Sequence, residues 1–132
     1  MINSKNKFIA TIILSILILG ITFRLYNLNI ENFWIDEMVT FWVADPQVAI
    51  NETIKRNIAS DLHFFFNLIL RLYFSFTSYE INFARYLPAT LSILTIFSIF
   101  YLSIILKTKN YIFLLFLISF NIYHIKYAQE LR

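Results

Sequence analysis

The chain has 132 residues, 59% hydrophobic and 14% charged, with one glycine, two prolines, no cysteine and a formal net charge of +3. Soluble domains average roughly 45–50% apolar and about 25% charged residues, so this composition is that of a membrane protein. It excludes disulfide frameworks, thiolate zinc sites and cysteine nucleophiles, glycine-rich phosphate cradles, disorder and a basic nucleic-acid stripe.

Phe8 to Phe23 is free of charge, and its apolar flank reaches Tyr26. At a rise of about 1.5 Å per residue, a span over about 8–26 matches a hydrocarbon core of about 30 Å. Lys5 and Lys7 precede it, which the positive-inside rule reads as a cytoplasmic N-terminus. No small-x-small site follows Gly20, so the segment reads as a retained span and not as a cleaved signal. Heavy use of Ile, Asn, Lys, Phe and Tyr reads as an A/T-rich coding background, which weakens arguments from any single missing Pro or Gly.

A long loop follows, over about 27–85, and loops of this length are usually functional. In WIDEMVTFWVAD, Trp34, Met38, Phe41 and Trp42 recur on one helical face, as in a helix lying in the headgroup layer. The helix should stop where Asp45 precedes Pro46. Adjacent on that helix, Asp36 and Glu37 point about 100° apart, so only one can aim at a given site. Asp36 reads either as an N-cap or as an ionised carboxylate able to take a proton from a hydroxyl.

Further on, Leu62–Phe76 is apolar but too short to span and carries Arg71 near its middle, which argues for an interfacial or re-entrant helix. Ser60 or Asp61 is its expected N-cap. His63, Asn67 and Arg71 form one polar stripe. Either that stripe is a wetted face, or it lines a polar cavity where Arg71 meets phosphate and His63 meets a metal or a carboxylate.

The clearest span is Tyr86–Leu106, with Pro88 in its first turn. Arg85 just before it reads as an interfacial anchor. Lys107 and Lys109 mark a tight turn, and a third span runs over about 110–126. Both lysine groups fall on one side only if 62–76 does not cross. The loop and the chain end, with Lys126, Glu130 and Arg132, then share the outer side. The expected fold is an all-α integral membrane protein with three transmembrane helices and interfacial helices in its first outer loop.

Taken in order, FRLYNL, WIDEMVTFWVA, DLHFFFNLILRLYFSF, FARYLPATLSILTIF and YAQELR resemble the N-terminal part of a known family. It is the membrane-embedded GT-C glycosyltransferases that use polyprenyl-phosphate sugars, close to the dolichyl-phosphate-mannose protein mannosyltransferases. Asp36 and Glu37 match the family's acidic pair and His63 its His-Pro-Pro histidine, with Phe64 and Phe65 replacing the prolines. Arg85, Leu87 and Pro88 match its Arg-Leu-Pro motif with Tyr86 inserted. Tyr127, Gln129, Glu130 and Arg132 match its Tyr-Ser-Gln-Glu-Ala-Arg motif, with Ala128 and Leu131 as departures.

The resemblance implies sugar transfer from a polyprenyl-phosphate donor to an acceptor hydroxyl at the outer face. It makes Asp36 and Glu37 catalytic, with Asp36 as the base. Arg85, Arg132, His63 and Glu130 then bind substrate or phosphate. No cofactor is firmly implied, although a divalent metal is compatible. The expected partners are the lipid bilayer, the donor lipid and an unidentified acceptor, not nucleic acid, in a multi-pass plasma-membrane protein. Family members carry further spans, so the resemblance reads this chain as an opening portion. The alternative is a truncated, inactive membrane protein with a scaffold or assembly role.

Overall fold

A computed structural model describes residues 4–61 and 63–131, and these contain helices and connecting turns with no strand. Eight helices are described: α1 (Ser4–Leu25), α2 (Ile35–Val43), α3 (Ile50–Ser60), α4 (Phe64–Phe76), α5 (Ile81–Ala84), α6 (Tyr86–Ile105), α7 (Tyr111–Phe120) and α8 (Ile122–Ala128). They divide into two compact units, one of residues 1–26 and 89–128, the other of 27–88 and 129–132.

The first unit holds the spans. Helix α1 and the stretch Ile81–Ile105 are each long and apolar enough to cross a membrane. Each is apolar around its whole circumference, as lipid-facing helices are. The third expected span is broken. Helices α7 and α8 meet at a 53° bend, where Asn121 leaves the helical region at ψ 115°. The Asn121 side chain restarts the chain by accepting the His124 N–H at 2.9 Å. Helix α1 packs on both α7 and α8, around Ile16, Ile96 and Leu115. Gly20 makes this close approach possible: a Cβ there would lie 3.0 Å from the Ser119 Cβ.

Ile13 shares a cleft with Lys107 and Tyr111, whereas Arg24 bonds the Ser119 carbonyl, so α1 and α7 run parallel. Lys5 and Lys7 therefore lie at the same end of this unit as Lys107 and Lys109, as the charge-parity argument requires. Helix α6 ends there with Lys107 in the left-handed region at φ 50°. The Thr108 N–H reaches back to the Ser103 carbonyl at 3.0 Å and the Lys107 N–H to the Ile104 carbonyl at 3.0 Å, which together close the helix end.

In the second unit α2, α3 and α4 pack on one another, around Ala44, Leu70, Phe74, Ala84, Leu87 and Leu131. At 13 residues, α4 is only about 20 Å long and falls short of a span, as expected. Its N-cap is His63, not Ser60 or Asp61. Ser60 instead ends α3, and Asp61 closes that helix in the left-handed conformation at φ 50°.

The polar stripe of α4 is wetted only at His63, and its other two residues turn inward. Asn67 is fully buried and donates to Asn57 Oδ1 at 2.6 Å. Arg71 is half-buried and donates to the carbonyls of Asp45, Pro46 and Val48 and to Thr53 Oγ1. Its guanidinium thus ties the α2–α3 connection onto α4, where a phosphate contact was one expectation. Of the expected apolar face of α2, Trp34, Met38 and Trp42 are exposed, whereas Phe41 turns inward and packs against Phe74 and Tyr79.

Candidate functional site

Helix α2 begins two residues earlier than a cap at Asp36 would allow. Trp34 is its N-cap, and Asp36 and Glu37 both sit in the first turn. Trp34 has no acceptor side chain, so only half of a capping box forms. Glu37 Oε2 accepts the Trp34 N–H at 3.0 Å. From this position Glu37 points inward and is 1% exposed, while Asp36 lies on the exposed side. The divergence expected of adjacent helical residues separates the pair into one buried and one accessible carboxylate.

Glu37 is met by Arg85, itself 3% exposed. Arg85 Nε donates to Oε1 at 3.0 Å and Nη2 to Oε2 at 2.8 Å, a two-pronged pair. The Leu131 N–H adds a bond to Oε1 at 2.8 Å. With the Trp34 amide, the carboxylate accepts four hydrogen bonds, about its full capacity. Burial alone would raise the Glu37 pKa. The bonds from Arg85, Leu131 and Trp34 and the charge of Arg85 outweigh it and hold the carboxyl below the usual range.

Arg85 is equally committed. Its remaining N–H groups go to the carbonyls of Leu28 at 3.1 Å, Glu31 at 2.8 Å and Asn32 at 3.3 Å. Phe33 lies beneath the guanidinium, its ring centre 4.8 Å away. All five donors are used, so in this arrangement Arg85 offers no N–H to a phosphate. Its burial also replaces the expected interfacial anchor with an internal clamp. Arg85 and Glu37 bind three pieces of chain together: the 28–33 segment, the first turn of α2, and the chain end at Leu131.

The other expected residues are placed differently. His63 is exposed, and its side chain makes no capping bond. Glu130 is half-buried beside Leu131, and Arg132 lies outside the described residues. Among the described residues no group of three or more His, Asp or Glu side chains is placed to hold a metal ion.

Sequence reasoning missed a second polar cluster, in the spanning unit. Arg24 is fully buried in the last turn of α1. It donates to Ser92 Oγ at 2.7 Å, to the carbonyls of Gly20 at 2.7 Å, Ser119 at 3.0 Å and Ile118 at 3.0 Å, and to His124 Nδ1 at 2.6 Å. Carbonyls at a helix end lack an intrahelical partner, and Arg24 supplies one to two of those that end α7. Because Nδ1 accepts, His124 carries its proton on Nε2 in this arrangement. The available signal was an arginine followed about 100 residues later by a histidine in an otherwise apolar span, and no local pattern links the two.

Comparison with protein-family models, curated proteins and solved structures returned no match. What the described residues define is an all-α, multi-pass membrane protein with two spanning helices, or three if the bent pair is one span.

Proposed function

We propose that this chain takes part in sugar transfer from a polyprenyl-phosphate donor to an acceptor hydroxyl, with Asp36 as the general base. One observation carries the reading: Asp36 is the accessible member of an acidic pair whose other member, Glu37, is locked in place by four hydrogen bonds. A base gains from being held in one geometry, and the Glu37–Arg85 clamp holds the turn that carries Asp36. The exposed Trp34, Ile35, Met38 and Trp42 beside it suit a carboxylate working at the headgroup level of a bilayer.

In this reading Asp36 takes the proton of the acceptor hydroxyl as its oxygen attacks the anomeric carbon. The bond from that carbon to the phosphate oxygen breaks, the polyprenyl phosphate leaves with the electron pair, and the configuration inverts. Glu37 and Arg85 are positioning residues, since neither has hydrogen-bonding capacity left for substrate. Stabilising the leaving phosphate falls to another cation, for which the family resemblance offers Arg132.

The test is transfer of labelled hexose from a polyprenyl-phosphate hexose to hydroxyl acceptors, in membranes that carry the protein. Asp36→Asn should lower transfer by about 10²–10⁴-fold, the usual worth of a general base, with helical content unchanged. Equal transfer by the variant removes Asp36 from the chemistry. Absence of both transfer and bound lipid phosphate in the parent protein favours the scaffold reading instead.

A further inference from the structure

At the opposite end of the spanning unit from Arg24, we infer a binding site for an anionic glycerophospholipid, centred on the Lys107–Lys109 turn. It is separate from the sugar-transfer proposal and uses none of its residues. A cleft of about 470 Å³ opens there, walled by Ile13, Phe100 and Ile104 and edged by Lys107, Thr108 and Lys109. A second cleft of about 530 Å³ shares Lys109 and Tyr111 with the first. It continues between α1 and α7 over Ile12, Ile16, Phe113 and Phe116. The two clefts together form a basic mouth above an apolar trough.

The polar groups at the mouth are available. Among the described residues, the ammonium groups of Lys107 and Lys109 and the Thr108 hydroxyl make no hydrogen bond or ion pair. Ser103 Oγ, by contrast, is turned to the Phe100 carbonyl at 2.7 Å, leaving the cationic pair and Thr108 to face a ligand. Among the described residues, no acidic side chain lines either cleft. The backbone helps to fix the mouth, since closing α6 through Lys107 holds the turn in one shape.

An occupant must carry negative charge at one end and hydrocarbon at the other. A phosphodiester headgroup between the two ammonium groups, with an acyl chain along Ile16 and Phe116, satisfies both demands. Helices α1 and α6 are membrane spans, so their ends lie where bilayer phosphates are. A free phosphate would satisfy the lysines and leave the trough empty, which is why the lipid is the occupant proposed.

Native mass spectrometry of the whole chain in neutral detergent tests this, with an equimolar mixture of dioleoyl-phosphatidylglycerol and dioleoyl-phosphatidylcholine. The parent protein should retain phosphatidylglycerol in preference, by about fivefold for each lysine engaged. Lys107→Asn with Lys109→Gln should abolish the preference; asparagine suits the left-handed position, so the turn is kept. Lys109→Gln alone should lose about fivefold and carries the test if the double variant loses helix. Lys5→Gln with Lys7→Gln removes the same charge from the same end and should leave the preference intact. The site is refuted by equal retention of the two lipids, or by undiminished preference without the turn lysines. An equal loss from the Lys5 and Lys7 variant, or displacement of the lipid by millimolar inorganic phosphate, refutes it as well.

Discussion

Arg85 and Glu37, 48 positions apart in sequence, form a buried two-pronged ion pair in which all five N–H groups of one and both oxygens of the other are engaged. Burying such a pair is not in itself a large source of stability, because desolvation offsets the attraction; removing one partner strands the other and costs about 3–5 kcal/mol. Glu37→Gln and Arg85→Met should therefore each destabilise the loop unit strongly. Glu37→Gln combined with Arg85→Met should cost less than the sum of the separate losses. Denaturant unfolding of the four proteins in detergent checks this, and additive losses would mean the two residues act independently.

The same pair sets an acid limit. Glu37 has a lower pKa folded than unfolded, so its contribution is complete above the ordinary glutamate pKa of about 4.3. That contribution falls as pH drops through this value towards the depressed folded one. Stability measured from pH 6 downwards should decline through this window in the parent protein. In Glu37→Gln the decline should be shallower, since nothing at that position then titrates.

Asp36 and Glu37 should part company under mutation. Asp36 is exposed, and surface substitutions usually stay within about 0.5 kcal/mol. Asp36→Asn should leave the unfolding midpoint nearly unchanged, where Glu37→Gln moves it by several degrees. Equal losses from the two would contradict the exposure of Asp36 and the burial of Glu37.

These contrasts show what the sequence carried and what it could not. Charge-free length located the spans because hydrocarbon thickness admits few alternatives, and the helical repeat separated Asp36 from Glu37 because their directions are set locally. Pairing of Glu37 with Arg85 was beyond reach, since no periodicity joins a first helical turn to a residue 48 positions on. The family resemblance placed the two in different motifs, and only the fold gives each its carboxylate or guanidinium partner. Local chemistry also misled at the helix ends. Asp61 reads as a cap that starts a helix, yet it finishes one, and left-handed positions usually given to glycine are held by Asn27, Asp61 and Lys107. A chain with one glycine hides its turns. The break at Asn121 went unseen because asparagine is common throughout this sequence.

Arg24 should prove the most sensitive residue of the spanning unit. Its five donors satisfy carbonyls of Gly20, Ile118 and Ser119 together with Ser92 and His124. Each buried group left unpaired costs about 1–3 kcal/mol, so Arg24→Met should lose more than about 3 kcal/mol in total. Arg24→Lys keeps the charge but offers three donors from a single point, where arginine spreads five over a planar fork. It should recover only part of the loss. Full recovery by lysine would show that charge, and not the geometry of the fork, holds α1 against the end of α7.

Gly20 tests the packing that brings Arg24 to those carbonyls. A methyl group added there would meet the Ser119 Cβ at 3.0 Å and Oγ at 3.2 Å, and Ser119 is fully buried. The Cβ cannot swing away, because Ser119 sits in α7 with its backbone carbonyl held by Arg24. Gly20→Ala would ordinarily favour a helix by about 1 kcal/mol, but overpacking costs about 1–3 kcal/mol, and separating α1 from α7 also stretches the Arg24 bonds. The net effect should be destabilising. Adding Ser119→Gly should restore most of the stability by clearing the Cβ that the new methyl meets. Unfolding of the single and double variants in the same detergent decides the matter: a Gly20→Ala protein as stable as the parent would show that α1 and α7 do not approach this closely.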